Sequence, residues 1–406
     1  MKAKHLLIEV AFLLTLTYLF PNISLSQGTW TQKADFGGGE RYSATGFSIG
    51  NKGYLGLGFD YLDDSLRDIW EWDPVTNTWT KKADFWPMGT FYPVSFSIGT
   101  KGYLLSGTGY NGITYAQELW EYDPVADTWT QKASVPTGTP ARESAVGFSI
   151  GTKGYIGIGH KIDSLPGSYY QDFWEYDQTT NTWTKKADFK GAARVGAIGF
   201  SIGNKGYIGT GFDGSNAIRE FWEWDQGTNV WTRKADFGGT AEMFSSGFSI
   251  GNKGYIGTTE LWEWDQATNI WTQKTGYKGY TGEAVAAFSI GNKAYMGTGY
   301  GGPVVYASKD FWEFDPLETT GIAKLAKENS SIYPNPASNL INFNFNIPNN
   351  ADVVLDIYSV TGTLVKTVLL NPNQHQINVT DLKNGIYMIE VKSNNWLDKQ
   401  KLIVQR

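Results

Sequence analysis

Residues 47–58 read Phe-Ser-Ile-Gly-Asn-Lys-Gly-Tyr-Leu-Gly-Leu-Gly, and close variants of this stretch return five more times along the chain. The six Phe-Ser-Ile-Gly anchors begin at Phe47, Phe96, Phe148, Phe200, Phe248 and Phe288, at intervals of 49, 52, 52, 48 and 40 residues. Each anchor is followed by a Trp-Glu-aromatic-Asp box, which begins at Trp70, Trp120, Trp174, Trp222, Trp262 and Trp312. A period of this length indicates a repeat array in which every copy forms one supersecondary unit.

Each copy has the pattern of four short strands and shows no helical periodicity. The apolar anchor suits an innermost strand, Gly-Asn-Lys-Gly supplies a hairpin turn, and Gly-Tyr-Leu-Gly reads as the second strand. The Trp-Glu-aromatic-Asp box alternates rings with acids, as a half-buried strand does, and a Trp-Thr segment ends the copy as an outer strand. Four-stranded units repeated around an axis form a β-propeller.

The two ends of the array predict how the ring closes. The last copy has no Trp-Thr segment after Asp315, whereas a spare one lies at residues 29–36, before the first copy begins. If the last copy borrows this segment, both terminal sheet edges become paired and none is left open. We therefore predict an all-β chain in which residues 27–316 form a six-bladed propeller.

The same segments carry a family resemblance. The period of roughly 50 residues is that of the kelch repeat, and Gly-Tyr-Ile-Gly-Thr-Gly, Trp-Glu-Trp-Asp-Pro and Asn-Thr-Trp-Thr resemble its second, third and fourth strands. The kelch double glycine appears here only as Gly-x-Gly, for example at Gly56 and Gly58. The chain thus resembles a kelch-like propeller, and the resemblance implies a fold rather than a reaction, because propellers carry unrelated functions.

The start of the chain has the pattern of a signal peptide. Basic residues precede a mostly apolar run over residues 6–20, and small residues follow at the positions that a signal peptidase inspects. We predict a signal peptide over residues 1–26, with cleavage between Ser26 and Gln27. After its removal, the sequence predicts no membrane-spanning segment, since no other apolar run is long enough.

The end of the chain changes in composition after the last repeat. The sorting-motif candidates are Tyr333, Pro334, Asn335, Pro336, Gly362, Gly385, Tyr387 and Lys401. In this order, these residues resemble the sorting domain of type IX secretion, a small β-sandwich. The resemblance implies a sorting domain over residues 331–406 after a linker at 317–330, and binding to the type IX secretion machinery. It also implies passage through the periplasm of a Gram-negative bacterium, with release or attachment at the cell surface. The alternative is an ordinary C-terminal adhesion sandwich.

The supply of reactive side chains is small. The chain has no Cys and three His, of which only His160 lies in the propeller. Thiol nucleophiles, disulfides, Cys-ligated metals and multi-His zinc sites are thereby excluded. We predict no metal and no cofactor. The formal net charge of −6 disfavours a nucleic acid partner.

The loops of the propeller predict where a ligand would bind. The turns between the first and second strands are almost identical in all copies, whereas the loops between the second and third strands differ in length and composition. These variable loops share one face with the inter-blade loops. Variation confined to one face of a rigid scaffold is typical of a binding surface. Drift at positions that folding constrains least would produce the same pattern.

The candidate ligand-binding residues on this face are Arg41, Arg142, Arg194, Trp86, Glu242, Glu283 and His160. The three arginines recur six residues before a Phe anchor, and together they would clamp a carboxylate or sulfate group. Alternatively, they are framework residues that bond the neighbouring backbone. Trp86 lies outside the repeat pattern, so we expect either a stacking platform for sugar rings or a hydrophobic cover over the blade edges.

Two functional hypotheses follow. The first is a secreted or surface-attached binding or adhesion module for glycan or protein, without catalytic residues. The second is a carbohydrate-active enzyme such as a kelch-type sialic acid epimerase, in which the arginines bind the substrate carboxylate and Glu242, Glu283 or His160 is the acid or base. A purely structural role in a surface layer is a third possibility.

Overall fold

A computed structural model describes most of the chain after the predicted signal peptide. The described residues are 27–60, 62, 64–86, 92–105, 117–136, 142–161, 168–279, 282–301, 307–316, 331–344, 353–359, 363–370, 376–393 and 396–406. The predicted signal peptide with Ser26, the predicted linker at 317–330 and the predicted sorting-motif residue Gly362 lie outside these ranges. The chain divides into two compact units, Met1–Glu318 and Thr319–Arg406.

The first unit consists of six four-stranded antiparallel sheets, one for each sequence copy. The first strand of the chain, β1 (Thr29–Gln32), belongs to the sixth sheet. Blade one contains β2 (Thr45–Ile49), β3 (Lys52–Gly56), β4 (Ile69–Asp73) and β5 (Thr78–Lys81). Blade two contains β6 (Val94–Ile98), β7 (Lys101–Leu105), β8 (Leu119–Asp123) and β9 (Thr128–Gln131).

The third blade is preceded by a short strand that pairs with the loop of the same blade. The paired segments are β10 (Arg142–Glu143) and β13 (His160–Lys161). Blade three itself contains β11 (Val146–Ile150), β12 (Lys153–Gly157), β14 (Phe173–Asp177) and β15 (Thr182–Lys185). Blade four contains β16 (Ile198–Ile202), β17 (Lys205–Gly209), β18 (Phe221–Asp225) and β19 (Val230–Arg233).

The last two blades complete the ring. Blade five contains β20 (Gly247–Ile250), β21 (Lys253–Gly257), β22 (Leu261–Asp265) and β23 (Ile270–Lys274). Blade six contains β24 (Ala286–Ile290), β25 (Lys293–Gly297), β26 (Phe311–Asp315) and the N-terminal β1. The first strands of neighbouring blades pack against each other all the way round, including β24 of blade six against β2 of blade one.

Ring closure follows the prediction from the spare outer strand. Strand β1 pairs antiparallel with β26, in a register that places Thr29 opposite Asp315 and Trp30 opposite Phe314. The ring of Trp30 packs on Phe314, with 4.9 Å between ring centroids, and on Tyr277 at 5.4 Å. The N-terminal strand thus provides both the fourth strand of blade six and part of its packing against blade five.

The outer-strand tryptophans join each blade to the one before it. In all six blades the indole Nε1 donates a hydrogen bond to a backbone carbonyl of the preceding blade, at 2.7–3.1 Å. The pairs are Trp79–Ala34, Trp129–Ala83, Trp183–Ala133, Trp231–Ala187, Trp271–Ala235 and Trp30–Thr275. The sixth pair forms only because β1 closes the ring.

The repeated Gly-Tyr of the second strand also has a packing role. A Cβ atom at Gly102 would lie 2.3 Å from the ring of Phe47 in the neighbouring blade, and Gly53, Gly154, Gly206 and Gly254 have equivalent contacts. Glycine is needed there because the phenyl ring occupies the space of a side chain. The repeated tyrosines donate their hydroxyl groups to the repeated glutamates, as Tyr54 does to Glu71 at 2.6 Å. The recurring acids are therefore part of the scaffold, as their recurrence predicts.

The second unit consists of two antiparallel sheets with a common core. One sheet contains β27 (Ser331–Tyr333), β28 (Leu340–Asn344) and β31 (Gln376–Asn378). The other has the order β30 (Leu364–Leu370), β29 (Val353–Ser359), β32 (Gly385–Ser393) and β33 (Trp396–Val404). Side chains such as Ile341, Leu355 and Val391 are completely buried between them. In the described part of the chain there is no helix with the length and hydropathy that crossing a bilayer would require.

The predicted sorting-motif residues that are described lie within these sheets or directly beside them. The side chain of Asn335 bonds the last strand twice: its amide donates to the Lys401 carbonyl at 2.6 Å, and its carbonyl accepts from the Ile403 amide at 2.8 Å. The neighbouring Tyr333 is exposed. The hydroxyl of Tyr387 donates to the Lys383 carbonyl at 2.9 Å. Asn335 thereby fixes the segment before β28 to the C-terminal strand.

Candidate functional site

The inner strands of the blades have small neutral residues at most of their partly exposed positions. Buried and partly exposed residues alternate along the inner strands, and the buried Phe and Ile residues pack between blades. The serines of the anchors are partly exposed; they are Ser48, Ser97, Ser149, Ser201, Ser249 and Ser289.

At one end of the channel, six residues adopt the left-handed backbone conformation. They lie four positions before the Phe anchors: Ser43, Tyr92, Ser144, Gly196, Phe244 and Ala284, with φ between 46° and 63°. For residues other than glycine this conformation costs of order 1–2 kcal/mol, and such strain concentrates at functional sites. Inter-blade hydrogen bonds hold part of the ring, since the Phe244 amide donates to Gly196 at 2.8 Å and the Ala284 amide donates to Phe244 at 3.0 Å.

These six residues and the residue after each of them surround a cavity of about 130 Å³. We call this region the axial mouth. It lies on the variable-loop face, because Tyr42 and Val195, which precede two of the six residues, bond the starts of the second-to-third strand loops at Phe59 and Phe212. Every blade contributes one pair of residues to the axial mouth.

An aromatic pair lies across the axial mouth. The rings of Tyr92 and Phe244 stack with 4.9 Å between centroids and an interplanar angle of 27°. These residues belong to blades two and five, which are opposite each other in a ring of six. The stack therefore spans the axis, where it narrows the channel and presents apolar surface to the cavity. Gly196 lies beside it, because a Cβ there would be 3.1 Å from the Phe244 ring.

Polar groups surround the aromatic pair. Burial raises the pKa of the Tyr92 hydroxyl. The contact between Tyr92 and Ser43 lowers that pKa, whereas the nearby carboxylates of Glu143 and Glu283 raise it further. The hydroxyl oxygens of Ser43 and Ser245 are shielded from solvent; Ser43 contacts the Tyr92 hydroxyl, and Ser245 contacts the Glu242 carboxyl group.

The three candidate arginines do not reach the axial mouth. Arg41, Arg142 and Arg194 are 0%, 3% and 0% exposed, and each lies inside its own blade. Terminal nitrogens of each guanidinium bond an acid of the same blade, as Arg142 does with Asp172 at 2.8 Å. Burial by itself would raise the pKa of Asp172, but the hydrogen bond and charge of Arg142 hold it below its usual range. A guanidinium bonded in this way has little capacity for a ligand anion, so the contacts favour the framework alternative.

The framework assignment has a measurable consequence for stability. Replacement of Arg142 by Ala leaves the half-buried Asp172 without its cation, and breaking the pair of a buried charge in this way costs about 3–5 kcal/mol. We expect thermal unfolding of Arg142→Ala to occur roughly 6 °C or more below the wild type. The exposed Arg219 provides a matched control, because Arg219→Ala should change stability by at most about 0.5 kcal/mol. If the melting temperature of Arg142→Ala were unchanged, the interpretation of the three arginines as an anion-binding site would be favoured instead.

The other candidates occupy different places on the variable-loop face. Trp86 is 64% exposed, lies outside the cavity lining and stacks under the guanidinium of Arg67, with 5.6 Å between the charge and the ring centroid. His160 bonds Glu143 through Nε2 at 2.9 Å, and its Nδ1 has no partner among the described residues. Glu283 is exposed beside the axial mouth. The described residues contain no group of three His, Asp or Glu side chains that could hold a metal ion.

Comparison with known proteins decides the identity of the second unit. Residues 331–405 match the family of secretion system C-terminal sorting domains. The C-terminal unit is a type IX sorting domain. This confirms the resemblance seen in the sequence, and it means that the protein is exported to the cell surface or the medium. The sorting domain implies an interaction with the type IX secretion machinery.

The propeller is similar in fold to known structures. A solved structure titled "Structure of YjhT" matches 69% of this chain and 95% of its own length, with a TM-score of 0.58 and 15% sequence identity. At this identity the match shows the fold alone, and it confirms the kelch-like propeller. No curated protein matches the sequence.

The axial mouth is not evident from the repeat pattern alone. The signal that would have located it is the position four residues before each Phe anchor, where Ser, Gly or Ala stands in four copies and a large ring in the other two. The two large rings, Tyr92 and Phe244, lie in opposite copies of a six-fold ring. Their positions in copies two and five, which are opposite in the ring, predict that the two side chains meet at the axis.

Proposed function

We propose that this protein is an exported, non-catalytic binding module that captures a glycan or protein ligand at the axial mouth. The observation that carries the proposal is the cavity at the axis, to which all six blades contribute and which contains the Tyr92–Phe244 stack. The proposed export route runs through the predicted signal peptide to the periplasm and then through the type IX machinery.

The chemistry of the axial mouth supports binding. Stacked rings offer the apolar surface on which sugar rings or aliphatic side chains pack, and aromatic contacts of this kind contribute about 0.5–1.5 kcal/mol beyond burial. The hydroxyl-bearing residues Ser43 and Ser245 line the cavity and would fix the orientation of a polar ligand group. A volume of about 130 Å³ accepts one small ring or one side chain, so a larger ligand would insert only its tip.

One observation favours a second candidate, a carbohydrate-active enzyme. The His160–Glu143 pair next to the axial mouth has the geometry of a general base with an orienting carboxylate. The arginines that would bind a substrate carboxylate are instead bonded to Asp68, Asp172 and Glu220. A sialic acid turnover assay separates the two candidates, because turnover that is lost in His160→Ala supports the enzyme.

The experiment for the binding module is a glycan and protein array probed with the mature secreted protein. The site variant is Phe244→Ala, which the backbone tolerates because Ala284 adopts nearly the same conformation in blade six. We expect this variant to weaken binding roughly tenfold, the worth of an aromatic contact. The control is Val125→Glu in a turn on the opposite face, where Val125 is 94% exposed. Equal losses in both variants, or no capture by the wild type, would refute the proposal.

A further inference from the structure

Three blades hold a guanidinium in the same place. In blades one, three and four the arginine before the inner strand donates from Nη1 to the carbonyl that follows the second strand, in Leu57, Ile158 or Thr210, at 3.0–3.1 Å. It also bonds the acid two residues before the Trp box. In blades one and four the guanidinium stacks over a phenyl ring, as Arg194 does over Phe189 at 5.0 Å. The backbone carbonyl, the carboxylate and the aromatic ring together form a binding site for a planar cation.

Blade five retains the acid, the indole and the phenyl ring but lacks the cation, and the equivalent carbonyl, of Thr258, accepts instead from the Tyr277 amide at 2.8 Å. Glu242 stands where the arginine would be, while the acid Glu260, the Trp262 indole and the ring of Phe237 remain at the equivalent positions. In each of the other five blades the box Trp donates to the equivalent acid, at 2.6–3.3 Å. Trp262 forms no such bond. The position that an arginine fills elsewhere is thus bordered by two carboxyl groups in blade five.

Polar atoms at this position lack partners. Glu242 Oε1 and Trp262 Nε1 are shielded from solvent, and neither has a hydrogen-bond partner among the described residues. Glu260 accepts only long bonds of 3.3–3.5 Å, all from Thr240. Neither carboxyl group forms an ion pair with a described Lys, Arg or His. An unpaired carboxyl oxygen shielded from solvent is costly, so Glu242 Oε1 points to a missing donor of the kind a cation supplies, whereas the indole N–H of Trp262 would need an acceptor.

We propose that blade five binds the ammonium or guanidinium group of a ligand between Glu242 and Glu260, where other blades hold their own arginine. The inference deepens the proposed function, on which it rests, because the cationic group would enter through the axial mouth. Ser245, which contacts Glu242, lines the cavity there. The ligand class is therefore a molecule with a cationic tip on a narrow stem, such as a lysine or arginine side chain or an amino sugar.

The ionisation of Glu242 gives the site a pH dependence. Burial raises the pKa of Glu242 to about 7; the contact with Ser245 opposes this, and the charge of Glu260 adds to it. Glu260 is the charged group among the described residues that acts on it. A cation binds the ionised form, so affinity should be highest above pH 7. Between pH 8 and pH 6 most of the ionised form is lost, and affinity should fall roughly tenfold.

Calorimetric titration of the mature protein with butylguanidinium tests the proposal, and n-butanol serves as the neutral probe of similar length. We expect saturable binding of butylguanidinium at pH 8, roughly tenfold weaker binding at pH 6, and no binding of n-butanol. Glu242→Gln should weaken binding tenfold or more and remove the pH dependence. Glu242→Arg should abolish binding and raise the melting temperature, because it restores the arrangement of blades one, three and four. The exposed carboxylate of Asp188, at the blade edge, provides the control Asp188→Asn, which should bind like the wild type.

Absence of saturable binding at pH 8, equal binding of n-butanol, or unchanged binding by Glu242→Gln would each overturn this inference. If Glu242→Arg fails to fold, the Glu242→Gln titration still decides. The array experiment with Phe244→Ala tests the proposed function, whereas the butylguanidinium titration tests the cation site. Ligand capture without butylguanidinium binding overturns the cation site alone, whereas butylguanidinium binding without ligand capture overturns the proposed function alone.

Discussion

Deletion of residues 27–36 is expected to unfold the propeller or to convert it into aggregates. The deletion removes β1, the rings of Trp30 and Phe36, and the indole bond from Trp30 to Thr275. Loss of one large buried ring costs about 3–5 kcal/mol. Loss of two therefore approaches the 5–15 kcal/mol by which a domain is stable. The exposed edge of β26 would also offer an open strand to other chains.

Circular dichroism melting with size-exclusion chromatography checks this expectation. Trp30→Ala is the milder variant, because it keeps the backbone pairing of β1 and removes only the ring and its hydrogen bond. We expect Trp30→Ala to remain folded and monomeric but to melt well below the wild type. A deletion variant that is monomeric and melts at the wild-type temperature would show that β1 is not what closes the ring.

Removal of residues 328–406 is expected to abolish export while leaving the propeller folded. The truncation deletes the sorting domain but no strand of the propeller, which forms a compact unit of its own. In a host with a type IX system, the truncated protein should accumulate inside the cell and be absent from the medium and the surface. Fractionation followed by immunoblotting measures the distribution.

The purified truncation provides the control for misfolding. Its melting temperature should equal that of the propeller in the full chain, so that retention reflects the missing signal rather than degradation of an unfolded protein. Recovery of the truncated protein in the medium at wild-type levels would contradict the role of the sorting domain.

The sequence predicted the fold well because the repeat carries the same information six times. All six copies contain the inner anchor, and the first five also contain the glycine that accommodates the neighbouring Phe and the outer Trp that bonds the blade before it; copy six has Ala294 in place of the glycine. The missing outer strand after Asp315 and the spare one around Trp30 were enough to predict closure. These signals depend on local pattern and repeat number, which a sequence displays directly.

The candidate site was harder to predict, because its chemistry depends on neighbours in space. Arg41, Arg142 and Arg194 were placed correctly at the starts of inner strands, but the sequence does not show that each would bond an acid some 26 to 30 residues later. The Tyr92–Phe244 stack joins positions that are more than 150 residues apart. Glu242 was recognised as a candidate, yet its lack of a cationic partner is visible only in the structure.

Hydrogen exchange of the mature protein, with and without the first ligand captured on the array, tests the central claim most directly. The claim is that ligand binds at the axial mouth. We expect slower exchange at the amides of Phe244 and Ala284, which line that cavity, and no change in the opposite-face turn at residues 124–127. Slower exchange confined to residues 124–127, with the axial mouth unchanged, would contradict the account.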